Sequence, residues 1–379
     1  MTARGLVLVT GGAGFIGCHS AVALLEHGWR VRALDSLRPP VHEAGVPPAW
    51  LPPDVELVVG DVRDGGTVSR ALRGVDRVLH LAAYQDYLPD FSTFFHVNAT
   101  GTALLYEVIV GERLPVEKVV VASSQAVYGE GRYVCEEHGV IHPDHRPEPQ
   151  LRAGAWETRC AACGRPARSE PTDESVTNPQ NPYATSKHTQ EMVAFSLGRR
   201  YGIATSCLRY SITQGRWQSP RNAYSGICRI LTLRALAGKP LVLYEDGNQR
   251  RDYVHAADVA AANVLALTDP RTDFAAYNVG GAESLSALQY AEVVREVGRT
   301  TAPVSIPGCY RFGDTRHIVS DSGRLRALGW RPTVRVPAIV REYAEWTREC
   351  GFVDRATDDS MERMFSLGTL RRAAVAPTS

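Results

Sequence analysis

Two rhythms of apolar residues alternate along the first half of the chain. Residues 6–9 (LVLV) form a short uninterrupted apolar run, which Thr10-Gly11-Gly12 stops. A run of this kind, bounded by turn residues, predicts a strand buried on both faces. From Phe15 the rhythm turns helical, with Ala21, Leu24 and Leu25 on one face. The exchange then repeats: 29–34, 55–59, 77–81, 119–122 and 203–208 read as strands, 67–72 and 97–110 as helices. Strands alternating with helices predict an α/β fold, a doubly wound parallel sheet of the Rossmann type. Ligands of such a sheet bind at the carboxyl ends of its strands. The proline-rich stretch at 39–53 predicts an ordered surface loop.

The candidate cofactor residues sit at those strand ends. Gly11, Gly14 and Gly17 are spaced three apart where the first strand becomes a helix. Glycine permits the tight turn, lets backbone approach a phosphate and, at the third position, lets helix pack on strand. Phe15, Ile16 and Gly17 open the helix, whose free N–H groups would face a pyrophosphate. Asp35 ends the next strand, 18 residues beyond Gly17. A carboxylate there accepts hydrogen bonds from the adenosine ribose and repels a 2′-phosphate, which favours NAD over NADP. Asp61 and Val62 close the third strand, where Asp61 would meet the adenine amino group. Leu81, Ala82 and Ala83 close the fourth, with small residues that let a cofactor lie close. Asn98, in VNATGT, has two readings, a cofactor contact or a structural hydrogen bonder.

Length and charge remove other classes. At 379 residues the chain can build a sizeable core in one large domain or two lobes. Its formal net charge of +1 gives no pull toward nucleic acid or a membrane surface. No apolar run approaches the ~20 residues that span a bilayer. No basic, apolar leader precedes the first strand, so the expected location is cytoplasmic.

The stretch NPYATSK, 181–187, predicts another helix start, since proline suits the first turn. Tyr183 and Lys187 lie four apart and share a face. A free phenol has a pKa near ~10. The Lys187 ammonium and a positive nicotinamide would lower it, making Tyr183 a base. Ser124, at a strand end, supplies a hydroxyl for the same substrate oxygen.

TGGAGFIG, Asp35, GDVRD, HLAA, VNATGT, SSQAVYG, NPYATSK and RDYVHAADVA occur in that order. As a set they resemble the extended short-chain dehydrogenase/reductases, specifically the nucleotide-sugar epimerases and dehydratases, from residue 6 to about 346. They also resemble the dTDP-L-rhamnose 4-epimerase type, which shares the insertion described below. The resemblance implies NAD, Tyr183 as base, Lys187 as its partner and Ser124 as hydroxyl donor. It implies a Rossmann domain over 1–211 and 252–281, and a smaller nucleotide-sugar lobe over 212–251 and 282–379. Asn222, Arg251 and Arg311 would join Ser124 in holding substrate, the two arginines on the diphosphate. A homodimer joined by a four-helix bundle is common in the family. Relatives that remove a proton beside a carbonyl place an acid or a thiol after the catalytic hydroxyl. Here Gln125 and Ala126 stand there, which leaves hydride removal and return, and favours inversion at C4. Ile212 replaces an asparagine frequent in relatives. Tyr84, Asp86, Tyr87 and Asp90 would shape an unusual sugar pocket or simply pack.

An inserted segment, 130–175, is far longer than an ordinary connection. It carries Cys135-Glu-Glu-His138 and Cys160-Ala-Ala-Cys163-Gly164, with 21 residues between the pairs. Paired ligands at this spacing suit a structural tetrahedral zinc, with His142 and His145 as spares. Such a knuckle would serve as a lid near the sugar pocket. Helical periodicity over 361–370 and fraying from 373 onward complete the reading. Two other functions stand as alternatives. One is a net 4-dehydrogenase, ketoreductase or dehydratase with the same triad. The other is a non-catalytic NAD sensor whose zinc insert binds a partner, which would have no use for Ser124, Tyr183 and Lys187.

Overall fold

The computed structural model describes residues 4–86, 89–222, 226–352 and 356–374. Seven parallel strands make the central sheet. They are β1 (Leu6–Thr10), β2 (Arg30–Asp35), β3 (Glu56–Val59), β4 (Arg77–His80), β5 (Lys118–Ser124), Ala204–Tyr210 and Ala276–Val279. Their order is Ala276–Val279, Ala204–Tyr210, β5, β4, β1, β2, β3. The chain runs outward from β1 to β3 and then crosses back to β4, so the topological switch lies between β1 and β4. Both faces of β1 are buried, as its unbroken apolar run predicts. Val7 and Val9 enter one core with Leu24, Val31 and Val259. Leu6 and Leu8 enter the other with Val68, Leu105 and Ile109.

One helix departs from the sequence pattern. The expected helix over 97–110 begins with a wider π-type turn, His96–Thr100, before the α-helix Gly101–Gly111. The Thr102 hydroxyl donates to the Asn98 carbonyl at 2.7 Å, and the Asn98 side chain is held by other elements. Such turns mark places where a side chain's position matters more than helix regularity.

A second core gathers Leu231, Tyr253, Tyr290, Val336, Tyr343 and Trp346. Its sheet pairs Arg250–His255 in parallel with Ile212–Gln214 and antiparallel with Ser284–Ser286. The insert builds its own small sheet, in which Tyr133–Cys135 pairs antiparallel with Gly139–Ile141 and with Arg168–Ser169. The proline-rich loop is ordered, with Trp50 edge-on to Trp346 at 5.5 Å. The C-terminal segment forms the helix Ala356–Ser366 and the strand Leu370–Arg372, which pairs antiparallel with Cys309–Arg311. The expected fraying does not begin at 373. Ala373 donates to the Gly308 carbonyl at 3.0 Å and Ala374 to that of Arg152 at 2.8 Å; the rest of the expected frayed end, 375–379, lies outside the described residues. No described helix is long and apolar enough to cross a membrane.

Candidate active site

A single continuous cleft of about 1030 Å³ crosses the carboxyl ends of the strands and runs on to the second core. Ordinary small-molecule pockets hold ~300–1,000 Å³, so this one stands at the top of that range. Gly11, Gly14, Phe15, Ile16, Gly17, Asp35, Asp61, Val62, Leu81, Ala82 and Ala83 all line it. The turn is made by glycine for visible reasons. Gly11 has φ +67°, and a Cβ there would come within 2.9 Å of the Ala82 nitrogen. A Cβ on Gly17 would stand 2.3 Å from the Gly11 carbonyl oxygen, so the third glycine lets the helix pack against the turn itself. No side chain caps the helix Phe15–Glu26, which leaves its first N–H groups for an anion.

Asp35 is 8% exposed, and its carboxylate accepts from the Ala13 nitrogen at 3.1 Å and the Leu37 nitrogen at 2.9 Å. His42 Nε2 approaches it to 3.5 Å from the proline-rich loop. Asp61 is on the cleft wall but bidentate to Arg63, at 2.9 and 2.7 Å, which holds its carboxyl below the usual range. Asn98 stands apart from the other expected cofactor contacts. It is fully buried; its Oδ1 accepts from the Tyr84 nitrogen at 2.7 Å, and its Nδ2 donates to the Tyr84 carbonyl and Ser186 Oγ. Its carboxamide ties the loop after β4 to the helix Pro182–Tyr201.

The helix Pro182–Tyr201 carries Tyr183 and Lys187. Asn181 Oδ1 caps it by accepting from the Ala184 nitrogen at 2.8 Å, and Pro182 fills its first position. Tyr183, Lys187 and Ser124 meet on the cleft wall. Burial pushes Tyr183 up to about 12, opposed by the Ser124 hydroxyl. Burial also brings Lys187 down to about 8. Lys187 Nζ donates to Gln190 Oε1 at 2.7 Å.

That bond begins a buried chain not foreseen from the sequence. Gln190 Nε2 donates to Thr102 Oγ1 at 2.8 Å, and His80 Nε2 lies 3.0 Å from the same oxygen. Because the Thr102 proton goes to the Asn98 carbonyl, Thr102 Oγ1 accepts from both. His80 is therefore protonated on Nε2, and its Nδ1 accepts from Thr10 Oγ1 at 2.7 Å. Burial drives His80 down to about 3, so it is neutral. Glu191 and Arg209 were also missed. They form a bidentate buried pair at 2.9 and 2.7 Å, and Ser123 Oγ donates to Glu191 at 2.5 Å. The pair fixes the strand end that carries Ser124. The one available signal was a glutamate four residues past Lys187, on the same helix face.

Asn222, Arg251 and Arg311 line the far end of the cleft. Arg251 donates to the carbonyls of Arg316, at 2.9 Å, and Thr315. Arg311 pairs with Asp314 at 2.7 Å and lies over the Tyr244 ring at 5.3 Å. Fixed guanidinium groups of this kind suit a diphosphate. Gln125, Ala126 and Ile212 are also on the wall, as are Tyr84 and Asp86 of the aromatic loop. The Tyr84 hydroxyl donates to Asp90 at 2.5 Å. Tyr87 lies outside the described residues.

The four expected metal ligands come together. One donor atom from each of Cys135, His138, Cys160 and Cys163 lies within 4.8 Å of all the others. Cys135 Sγ is 3.7 Å from Cys163 Sγ, and His138 Nδ1 is 3.6 Å from both Cys135 and Cys160 Sγ. Tetrahedral zinc, with Zn–S of ~2.3 Å and Zn–N of ~2.0 Å, demands edges of ~3.5–3.8 Å. Gly164, at φ +71°, turns the chain so that its N–H reaches the Cys160 carbonyl at 2.8 Å. His145 is engaged elsewhere, 2.6 Å from the Gln180 carbonyl. The insert is not a lid: no residue of 130–175 lines the cleft. It packs against the strand that carries Arg311, through Leu151 and Trp156 on Tyr310.

Residues 7–149 and 155–280 match the NAD dependent epimerase/dehydratase family. The chain belongs to that family, and it is an extended short-chain dehydrogenase/reductase of the nucleotide-sugar epimerase and dehydratase type. It is 34% identical over 350 residues to a dTDP-L-rhamnose 4-epimerase of Burkholderia thailandensis, covering 90% of this chain and 94% of the relative. The Thermus thermophilus UDP-glucose 4-epimerase, solved with NAD, is 30% identical with a TM-score of 0.69, covering 90% of this chain and 99% of its own. A dTDP-glucose 4,6-dehydratase of Streptomyces venezuelae, also with NAD, is 26% identical with a TM-score of 0.72, covering 93% and 99%.

Proposed function

We propose that the chain is an NAD-dependent nucleotide-sugar 4-epimerase. The observation that carries this is the composition of the catalytic wall. Ser124, Tyr183 and Lys187 meet there, and the residues after Ser124 are Gln125 and Ala126. A dehydratase needs a second acid or base at that place, and this wall offers a carboxamide and a methyl group. The glycine turn, the uncapped helix and Asp35 fit NAD, which when bound supplies the hydride acceptor and donor. Tyr183 takes the proton of the sugar 4-hydroxyl, while Ser124 holds the same oxygen. Lys187, already at about 8, anchors the nicotinamide ribose and stabilises the phenolate. The 4-keto sugar then turns within the cleft and presents its other face. Arg251, Arg311 and Asn222 keep the nucleoside diphosphate in place through that turn.

The division into a Rossmann domain and a substrate lobe belongs to the same proposal, as does a homodimer through the helices Gly101–Gly111 and Pro182–Tyr201, where Met192 is 60% exposed. A structural zinc on Cys135, His138, Cys160 and Cys163 is supported by the edge lengths above. With four protein ligands it has no open position for chemistry. The test is incubation with UDP-, dTDP-, GDP-, ADP- and CDP-sugars, with products read by NMR. The expected product is a C4 epimer that retains deuterium placed at C4 and gains none from heavy water. Label exchange would move the chemistry to C3 or C5, and steady consumption of added NADH would make the enzyme a ketoreductase.

A further inference from the structure

Met361 and Met364 line the cleft, although they belong to the C-terminal helix Ala356–Ser366. They are one helical turn apart and therefore share a face. The helix leads directly into the strand Leu370–Arg372, and Leu370 sits opposite Arg311 in the pairing with Cys309–Arg311. The Thr369 hydroxyl donates to the Met364 carbonyl at 3.0 Å, and Arg372 covers the Phe365 ring at 5.4 Å. Helix and strand thus form one unit beside the guanidinium of Arg311.

The insert supports this unit from behind. Leu151, Trp156 and Tyr310 form a small buried cluster, against which Ala373 packs. The Tyr310 hydroxyl donates to Glu148 at 3.0 Å, Arg371 pairs with Glu148, and Ala374 donates to the Arg152 carbonyl. Deeper in, Arg146 of the insert is buried against Glu130 and Glu245, and Arg316 joins Glu245, Asp246 and Glu157. Glu245 also faces the cleft. The metal-ligand cluster closes the insert on itself, so the insert can act as a rigid support.

We propose that the C-terminal segment is part of the substrate site: Met361 and Met364 contact the nucleoside of the nucleotide sugar beyond Arg311, and the insert is the foundation that holds them there. This rests on the nucleotide-sugar reading. The sugar must reach Tyr183 at the central sheet. The diphosphate takes the arginines, so the nucleoside is the part left for the tail. Two thioethers give a base an apolar, adaptable surface.

The test is calorimetric titration of the NAD-loaded protein with dTDP, UDP, GDP, ADP and CDP, alongside steady-state kinetics. Met361→Ser with Met364→Ser should weaken the preferred diphosphate about tenfold and raise KM to match, with kcat within twofold and NAD affinity unchanged. Met361→Leu with Met364→Leu should stay within threefold of wild type. If the double serine variant binds the preferred diphosphate as wild type does, the tail has no part in the site and the proposal fails. If wild type binds none of the five diphosphates, the nucleotide-sugar reading fails, and this proposal with it.

Discussion

The two ends of the cleft are built from different materials. The cofactor end is backbone: a left-handed glycine at Gly11, a Gly17 with no space for a methyl group, and the open N–H groups of an uncapped helix. The substrate end is side chains. Its arginines stand on two separate strands, Arg250–His255 and Cys309–Arg311, and are held by carbonyls and by an acid, beside a buried ion-pair network that spans three separated segments. A backbone site is specified within a dozen residues and cannot be altered gradually. A side-chain site is assembled from distant segments, and each arm can change while the others stay. One scaffold can thus keep its cofactor while its substrate varies.

The contrast breaks most sharply at the junction of the two ends. Tyr183→Phe should leave both ligands bound while turnover falls by on the order of 10²-fold or more, measured as kcat beside NAD and nucleotide affinities. At the cofactor end, Gly17→Ala forces a methyl group against the Gly11 carbonyl; NAD affinity should fall by on the order of tenfold or more, with nucleoside diphosphate binding retained. Asp35→Ala should narrow the preference for NAD over NADP by a similar factor. At the substrate end, Cys160→Ser with Cys163→Ser should remove about one zinc per chain, checked by elemental analysis. The melting temperature should drop by about 5 °C, and KM for the sugar should rise without loss of NAD affinity.

The smallest effect expected is that of acid on the insert's joint with the loop. A hydrogen bond from His317, then one from Arg316, holds Glu157 down to about 2 against burial. Its folded pKa is below its unfolded one, so its contribution is full above the ordinary carboxylate range and is lost as pH falls through about 2. The side chain is 51% exposed, so solvent screening keeps that contribution at ~1 kcal/mol or less. Glu157→Gln should flatten the low-pH end of a stability curve by that amount and leave pH 7 kinetics of hydride transfer unchanged.

What the sequence disclosed follows the same division. The glycine turn, Asp35 and the YxxxK pair are local patterns whose spacing carries their geometry, and all reach the cleft. The cluster of Cys135, His138, Cys160 and Cys163 was legible for the same reason, since each pair closes within four residues. Its place in the fold was not, because nothing in 130–175 tells which face of the substrate loop it will meet. Asn98 was ambiguous because its partners, Tyr84 and Ser186, are 14 and 88 residues away. The tail was invisible as a site because Met361 and Met364 gain meaning only once the strand after them pairs beside Arg311.

The chain of bonds under the cofactor floor has an inheritance of its own. Thr102 Oγ1 serves three partners, the Asn98 carbonyl, Gln190 and His80. Thr102→Val would therefore strand three buried polar groups at once, at ~1–3 kcal/mol each. A change at His80 would likewise disturb both Thr10 and Thr102. These residues come from a strand end, a second strand and two helices, yet none can drift alone. Descendants of this chain should keep them or replace them as a block, so Thr10, His80, Thr102 and Gln190 should vary together while the cleft arginines vary one at a time.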